Sequence, residues 1–322
     1  MDSTTFELPS GRQTVVYSSI DNHEVRLDFY LPPTPTGPLP AIIYYHGGGM
    51  TAGSRCEYPW PEWLYKHCQK KNYMFISADY RLCHPTNTLD QIEDAKALFS
   101  YLASDTFAAQ LPANCSIDTA RIAVSGFSAG AYSARAACLY ANPKPAALLS
   151  VYGLGGNLLL DHWTRLFDLS TVPALLADQT VVSEGSMKRF PLTVHWELQG
   201  TMLDGLFQCP GLGKRLDGLK YEKRFEAVPD ELKPGVLDHF VDAEYPPSVF
   251  VHGEKDDVVS PEESEHHYKQ LQELGVKSRL LVVKDGPHGL EAFGQTPKSQ
   301  IYKDTMAAYE EALAFVDETL GV

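Results

Sequence analysis

Residues Arg121 to Gly130 read RIAVSGFSAG and decide the architecture. Ile122, Ala123 and Val124 form a short apolar strand that ends in Gly126-Phe127-Ser128-Ala129-Gly130 and is followed at once by the small-residue helix AYSARAACLYA. The pattern is strand, sharp turn, helix, with a serine at the apex. Such a turn holds the apical residue in a strained conformation and leaves no room for side chains two positions before and after it, where glycines stand here. The helix starting just past Ser128 also aims its free N–H groups and positive dipole end at any oxyanion formed there.

Outward from this turn, strands and helices alternate. Residues 14–20 (TVVYSSI) and 24–31 (EVRLDFYL) read as a hairpin joined by Asp21-Asn22-His23, and PPTPTGPLP reads as a loop. Ala41 to Tyr45 (AIIYY) is a continuous apolar run, the mark of a strand buried on both faces. It runs into His46-Gly47-Gly48-Gly49, where consecutive glycines let backbone N–H groups turn towards a ligand. A helix around Pro61–Lys71, a strand at Tyr73–Tyr80, a helix at Leu89–Leu102 and a strand at Ala146–Tyr152 continue the alternation, which implies a mostly parallel sheet. The pattern stops between 154 and 245. That stretch holds Trp163, Phe167, Phe190, Trp196, Phe207, Phe225 and Phe240, broken by Pro173, Pro191, Pro210, Pro229 and Pro234, and reads as short helices forming a cap or lid. Strands at Pro247–His252 and Ser278–Lys284, with helices at Pro261–Leu274 and Ser299–Leu320, close the chain. The expected division is a core of 1–153 and 246–322 with an inserted cap of 154–245.

The chemistry follows from what ends the late strands. A serine hydroxyl is a weak nucleophile at neutral pH and needs a base, and the base needs an orienting acid. Asp256 follows one late strand and His288 the next, and their loops leave at the carboxyl edge of the sheet, where open α/β sheets bind ligands. Asp257 competes with Asp256. His46 and His252 read as structural, His266-His267 as a solvated helix face, and Arg81 with Asp94 either as a brace for the site or as a plain ion pair. The glycine-rich stretches at 153–156 and 211–215 lack the spacing of nucleotide-binding loops.

These motifs resemble the α/β-hydrolase superfamily, and within it the HGGG-bearing, hormone-sensitive-lipase-like carboxylesterases. The residues carrying the likeness are His46 to Gly49, Tyr80-Arg81-Leu82, Gly126 to Gly130, His252-Gly253-x-x-Asp256 and His288-Gly289. The resemblance implies Ser128 as nucleophile, Asp256 as orienting acid by its spacing from His252-Gly253, His288 as base, and the N–H groups of Gly48, Gly49 and Ala129 as an oxyanion hole. It also implies an α/β-hydrolase fold and an ester hydrolase working through an acyl-enzyme with no cofactor or metal. Two departures stand out. Phe127 occupies a position where lipase-like members carry Asp, and strands begin near residue 14 with no N-terminal cap helices. The substrate therefore stays open, with an amidase or formamidase, a thioesterase, an acyltransferase, a silent binding protein or non-hydrolytic chemistry as alternatives.

Composition bounds the partners. The 322 residues carry 27 Lys plus Arg against 41 Asp plus Glu, a net charge of −14. A field of that sign repels phosphate backbones and anionic lipid surfaces, so a small-molecule ester is expected, with no nucleic acid and no membrane. The start MDSTTFELPSGRQ lacks a basic, apolar leader, and the six cysteines form no C-x-x-C pair, which points to reduced thiols and a cytoplasmic protein. Oligomeric state is left open, a homodimer included.

Overall fold

The computed structural model describes residues 7–57, 59–164, 182–183, 189–290 and 296–321, apart from the side chain of Leu198. Among the described residues eight strands form one sheet: β1 (Gln13–Ile20), β2 (His23–Tyr30), β3 (Gly37–Tyr45), β4 (Met74–Ala78), β5 (Cys115–Phe127), β6 (Ala147–Val151), β7 (Ser248–Gly253) and β8 (Ser278–Val283). Their spatial order is β1-β2-β4-β3-β5-β6-β7-β8. The first two strands are antiparallel to their neighbours, and all pairings from β4 to β8 are parallel.

Alternation along the central strands sends side chains to two cores. Ala41, Ile43 and Tyr45 of β3 enter a core shared with α2 (Thr88–Leu102) and α4 (Gly130–Tyr140). Ile42 and Tyr44 enter the opposite one, with Leu64 and Cys68 of α1 (Glu62–Lys71) and Tyr309, Phe315 and Val316 of α11 (Gln300–Leu320). Both sides of β3 are covered, which is why its sequence is apolar throughout.

β3 begins at Gly37, so the PPTPTGPLP stretch is only partly loop. Gly37, Pro38 and Leu39 pair with Cys115 to Ile117 of β5, whereas β4 joins β3 only from Ala41 onward. Over its first residues β3 is thus paired on one side only, where prolines without a donor are tolerated.

From β3 the chain crosses to β4 on one side, then to β5 on the other. The direction of winding reverses between β3 and β5, which opens a crevice at their carboxyl ends. Both the HGGG stretch and Ser128 lie there.

The chain between β6 and β7 contains α5 (Asp161–Thr164), α6 (Phe190–Gln199), α7 (Met202–Phe207), α8 (Leu212–Asp217), α9 (Tyr221–Ala227) and two 3-10 turns at Asp230–Gly235 and Leu237–Phe240. Pro191 lies in the first turn of α6, and Trp163, Trp196 and Phe207 are buried with the α2/α4 core. Phe167 and Pro173 lie outside the described residues.

Asn87 caps α2, accepting from the N–H groups of Leu89 and Asp90 while Asp90 accepts from the Asn87 N–H. Arg81 then pairs with Asp94 at 2.9 Å and with Asp90 at 2.9 Å. Burial pushes the Asp94 carboxyl up to about 6 even though Arg81 opposes it. Arg81 and Asp94 act as a buried ion pair between the β4 loop and α2. Asp94→Ala would leave a buried guanidinium short of its partner, and urea unfolding should show a loss of about 3 kcal/mol. A change below about 1 kcal/mol would refute this account of the pair.

Candidate active site

The turn after β5 is built by steric exclusion. Ser128 sits at φ +50°, in the left-handed region. A Cβ on Gly126 would lie 2.4 Å from the Ala131 Cα, and one on Gly130 2.2 Å from the Tyr45 carbonyl oxygen. Only glycine at both positions lets α4 start this close to β3 and β5. The serine is held by backbone bonds, its N–H donating to the Val151 carbonyl at 3.0 Å and its carbonyl accepting from Leu154 at 3.0 Å.

Three side chains meet in a line. His288 Nε2 lies 3.0 Å from Ser128 Oγ, and His288 Nδ1 lies 2.7 Å from Asp256 Oδ2. The carboxylate can only accept, so Nδ1 carries the proton and Nε2 presents its lone pair to the serine hydroxyl. An imidazole so placed can take that proton.

Asp256 faces the histidine while Asp257 is exposed. Its Oδ1 accepts from the N–H groups of Val258 at 3.0 Å and Val259 at 2.9 Å. Burial would push the Asp256 carboxyl up, but hydrogen bonds from His252 and His288, and their charge, hold it well below the usual carboxylate range. The acid and base loops interlock. Glu254 N–H donates to the Val283 carbonyl and Lys255 N–H to that of Gly286, each at 2.9 Å.

The other histidines sort themselves by contact. His252 is buried, with Nδ1 2.7 Å from Ser264 Oγ and Nε2 3.0 Å from the Val259 carbonyl and 3.2 Å from Asp256 Oδ2. His46 Nδ1 donates to the Gly47 carbonyl at 2.8 Å, and its ring stacks on Tyr80 with centroids 4.4 Å apart. His267 contradicts the expected solvated face. It is buried and accepts from Arg135 Nε at 3.0 Å. The first turns of α10 (Glu262–Glu273) are strongly acidic and read as solvent-facing, but the face carrying Glu263 and His267 is turned onto the buried Arg135.

The HGGG stretch lies against the serine. A Cβ on Gly47 would be 3.3 Å from Ser128 Cβ, and Gly48 and Gly49 have φ of +118° and +63°. The backbone N–H groups of Gly48, Gly49 and Ala129 donate to no described residue. Gly48 lines the same cavity as Ser128 and His288.

That cavity measures about 250 Å³ and is walled mainly by the rings of Tyr44, Phe127, Tyr152 and Phe190, with Glu57 on its lining. A second cavity of about 310 Å³ shares Pro59, Phe127 and Tyr152 with it. A larger open cleft of about 880 Å³ runs beside Asp161 and Arg224, whereas Ser128 and His288 open onto the smaller cavity. Sequence reasoning missed Tyr152, Phe190 and Glu57. Tyr152 follows β6 with φ +37° and its ring centroid is 5.0 Å from that of His288, a position that no motif marks. Among the described residues no group of three or more His, Cys, Asp or Glu is arranged to hold a metal ion.

The sheet order, the serine turn and the hydrogen-bonded line define an α/β-hydrolase. Two family models match, BD-FAE over residues 27–151 and the prolyl oligopeptidase family over 226–322. A probable carboxylesterase of Phoma sp. is 26% identical over 270 residues, covering 78% of this chain and 79% of its own length. A non-reducing polyketide synthase of Acremonium egyptiacum is 24% identical over 319 residues, covering 91% of this chain, which spans only 15% of the synthase. A butyrate-bound esterase of Thermogutta terrifontis superposes with TM-score 0.62 at 20% identity, covering 95% of this chain and 94% of that one. The chain has the α/β-hydrolase fold and is similar to carboxylesterases over most of its length.

One pH effect follows from His46. Burial, offset in part by the Gly47 carbonyl, lowers its value from 6.5 to about 4. As pH falls from 6.5 towards 4, the unfolded chain takes up this proton and the folded one does not. Stability contributed by neutral His46 is therefore lost across that window, at up to ~1.4 kcal/mol per pH unit. His46→Gln should flatten the stability profile on its acid side by that amount, read by urea unfolding at neutral and mildly acid pH; an unchanged slope would contradict it.

Proposed function

We propose that the protein is a serine hydrolase that cleaves a carboxylic ester of a small to medium hydrophobic substrate through an acyl-enzyme. The reading is carried by the alignment of Ser128 Oγ, His288 Nε2 and Nδ1, and Asp256 Oδ2 at 3.0 and 2.7 Å beside an aromatic cavity. Ser128 Oγ attacks the ester carbonyl as His288 Nε2 takes its proton. The carbonyl oxygen becomes an oxyanion facing the N–H groups of Gly48, Gly49 and Ala129. The tetrahedral adduct collapses, breaking the bond to the alcohol oxygen, which leaves with the proton from His288. Water then attacks the acyl-serine with His288 again as base, releasing the acid and restoring the hydroxyl. Asp256 keeps Nδ1 protonated and stabilises the transient imidazolium.

The insert of 154–245 serves as the cap over this site, a role supported by Phe190 in the cavity wall. At about 250 Å³ the cavity lies at the small end for ligand sites, which favours short acyl groups. A second reading, acyl transfer or thioester cleavage on the same serine, draws support from the likeness to part of a polyketide synthase. The charge of −14 supports a small-molecule partner. All six cysteines are free thiols, which supports a reducing, cytoplasmic setting; among the described residues no helix is long and apolar enough to cross a membrane.

Hydrolysis of p-nitrophenyl esters from acetate to dodecanoate should peak between acetate and hexanoate. An optimum at dodecanoate would rule out the small cavity as the acyl site, and inertness to every ester alongside cleavage of thioesters would favour the second reading. Ser128→Ala should remove at least about 10³-fold of the activity, and Asp256→Asn roughly 10³- to 10⁴-fold in kcat. Survival of activity in Ser128→Ala would sink the acyl-enzyme mechanism.

A further inference from the structure

Helix α6 touches both the cavity and the glycine loop. Phe190, its first residue, lines the cavity, and Thr193, three residues on and on the same side of the helix, reaches the loop. Thr193 Oγ1 donates to the Gly49 carbonyl at 3.1 Å and lies 2.6 Å from Thr51 Oγ1, which donates to it in turn. Contact is close enough that a Cβ on Gly49 would fall 2.3 Å from Thr193 Oγ1. Arg189, just before the helix, donates through Nε to the Thr51 carbonyl at 2.9 Å and through Nη2 to that of His84 at 2.8 Å. The loop is thus held on its far side by the insert.

The contacts bear on chemistry through one peptide group. The Gly49 carbonyl that Thr193 holds belongs to the short run whose N–H groups face the developing oxyanion. With φ of +118° and +63° at Gly48 and Gly49, side chains do not constrain this backbone locally, so its orientation depends on what grips it. Thr193, itself buried, supplies that grip.

We infer that Thr193 is a positioning residue that fixes the Gly48–Gly49 backbone for the transition state, and that α6 transmits the filling of the cavity at Phe190 to that backbone. The inference rests on the ester-hydrolase reading. An acyl chain that fits against Phe190 leaves the helix seated on the loop. One that displaces Phe190 shifts Thr193 with it, so chain-length selectivity appears in kcat as well as KM.

The test compares Thr193→Val, which keeps the volume and removes the hydroxyl, with Thr193→Ser, which keeps the hydroxyl. Two quantities are read: kcat and KM over the p-nitrophenyl series, and the affinity for a butyl trifluoromethyl ketone, whose adduct with Ser128 places an oxyanion in the hole. Complete loss of one oxyanion donor lowers turnover about 10²- to 10³-fold, so misplacement by Thr193→Val should lower kcat at least about tenfold with KM little changed. Ketone affinity should fall by the same factor, Thr193→Ser should restore both, and the dependence of kcat on chain length should flatten in the valine variant. A residue that only stabilises the fold would lower the melting temperature and leave the ketone affinity alone. If Thr193→Val keeps kcat and ketone affinity within about twofold of wild type, the inference is overturned. Should the valine variant not fold, Thr193→Ala against Thr193→Ser carries the same comparison. Wild-type protein that binds the ketone but cleaves no ester would end the esterase reading while leaving the ketone ratio to decide the role of Thr193; wild type that does neither would overturn both.

Discussion

The whole site hangs on the absence of two Cβ atoms. Gly126 and Gly130 let the first turn of α4 press onto the carbonyls at the end of β3, where a methyl group would meet Tyr45 oxygen at 2.2 Å. That closeness has two results. It holds Ser128 at φ +50° with its hydroxyl clear of the sheet, and it brings the residues after β3 against the serine. A single alanine at either position would push the helix, the serine and the glycine loop apart together. The geometry that His288 and Asp256 complete is therefore set first by backbone contact between β3, β5 and α4.

Much of this was readable in the sequence, because steric and topological demands leave few residue choices. Glycines around Ser128, an apolar run at Ala41–Tyr45 and loops with Asp256 and His288 at successive strand ends are each dictated by local backbone geometry or by burial on two faces. The first half of β5, from Cys115 to Arg121, escaped notice because it is half exposed and polar, paired there with the one-sided start of β3. Prolines 38 and 40 hid that start for the same reason. The burial of His267 follows from Arg135, a hundred and more residues away in sequence, and no local pattern announces such a partner. In the insert, short helices could be foreseen from prolines and aromatics, but which of their side chains meet the glycine loop depends on tertiary packing.

Buried polar groups around Asp256 form a closed set. Asp256 receives two backbone N–H groups on one oxygen and two imidazoles on the other, while His252 is itself held by Ser264 and the Val259 carbonyl. Four donors on one carboxylate compensate its removal from water and keep it ionised. The same arrangement leaves Asp256 with little rotational freedom, so His288 meets a fixed acceptor.

The insert leaves the sheet after β6 and returns at β7, and these two strands are direct hydrogen-bonded neighbours. The strands are parallel, so the insert leaves at the carboxyl end of β6 and returns at the amino end of β7, its two ends pinned roughly 11 Å apart, one strand spacing sideways and three residues along. Lengthening a loop between fixed ends adds little closure entropy, so the sheet places almost no limit on what this excursion contains. Such a junction is a natural point of exchange, where one pocket could be traded for another while the strands stay as they are. The grip of Arg189 and Thr193 on residues 49–51 and 84 qualifies that freedom. A transplanted insert would have to bring its own hold on the glycine loop, so the shape of the cavity and the seating of that loop would be inherited as one unit.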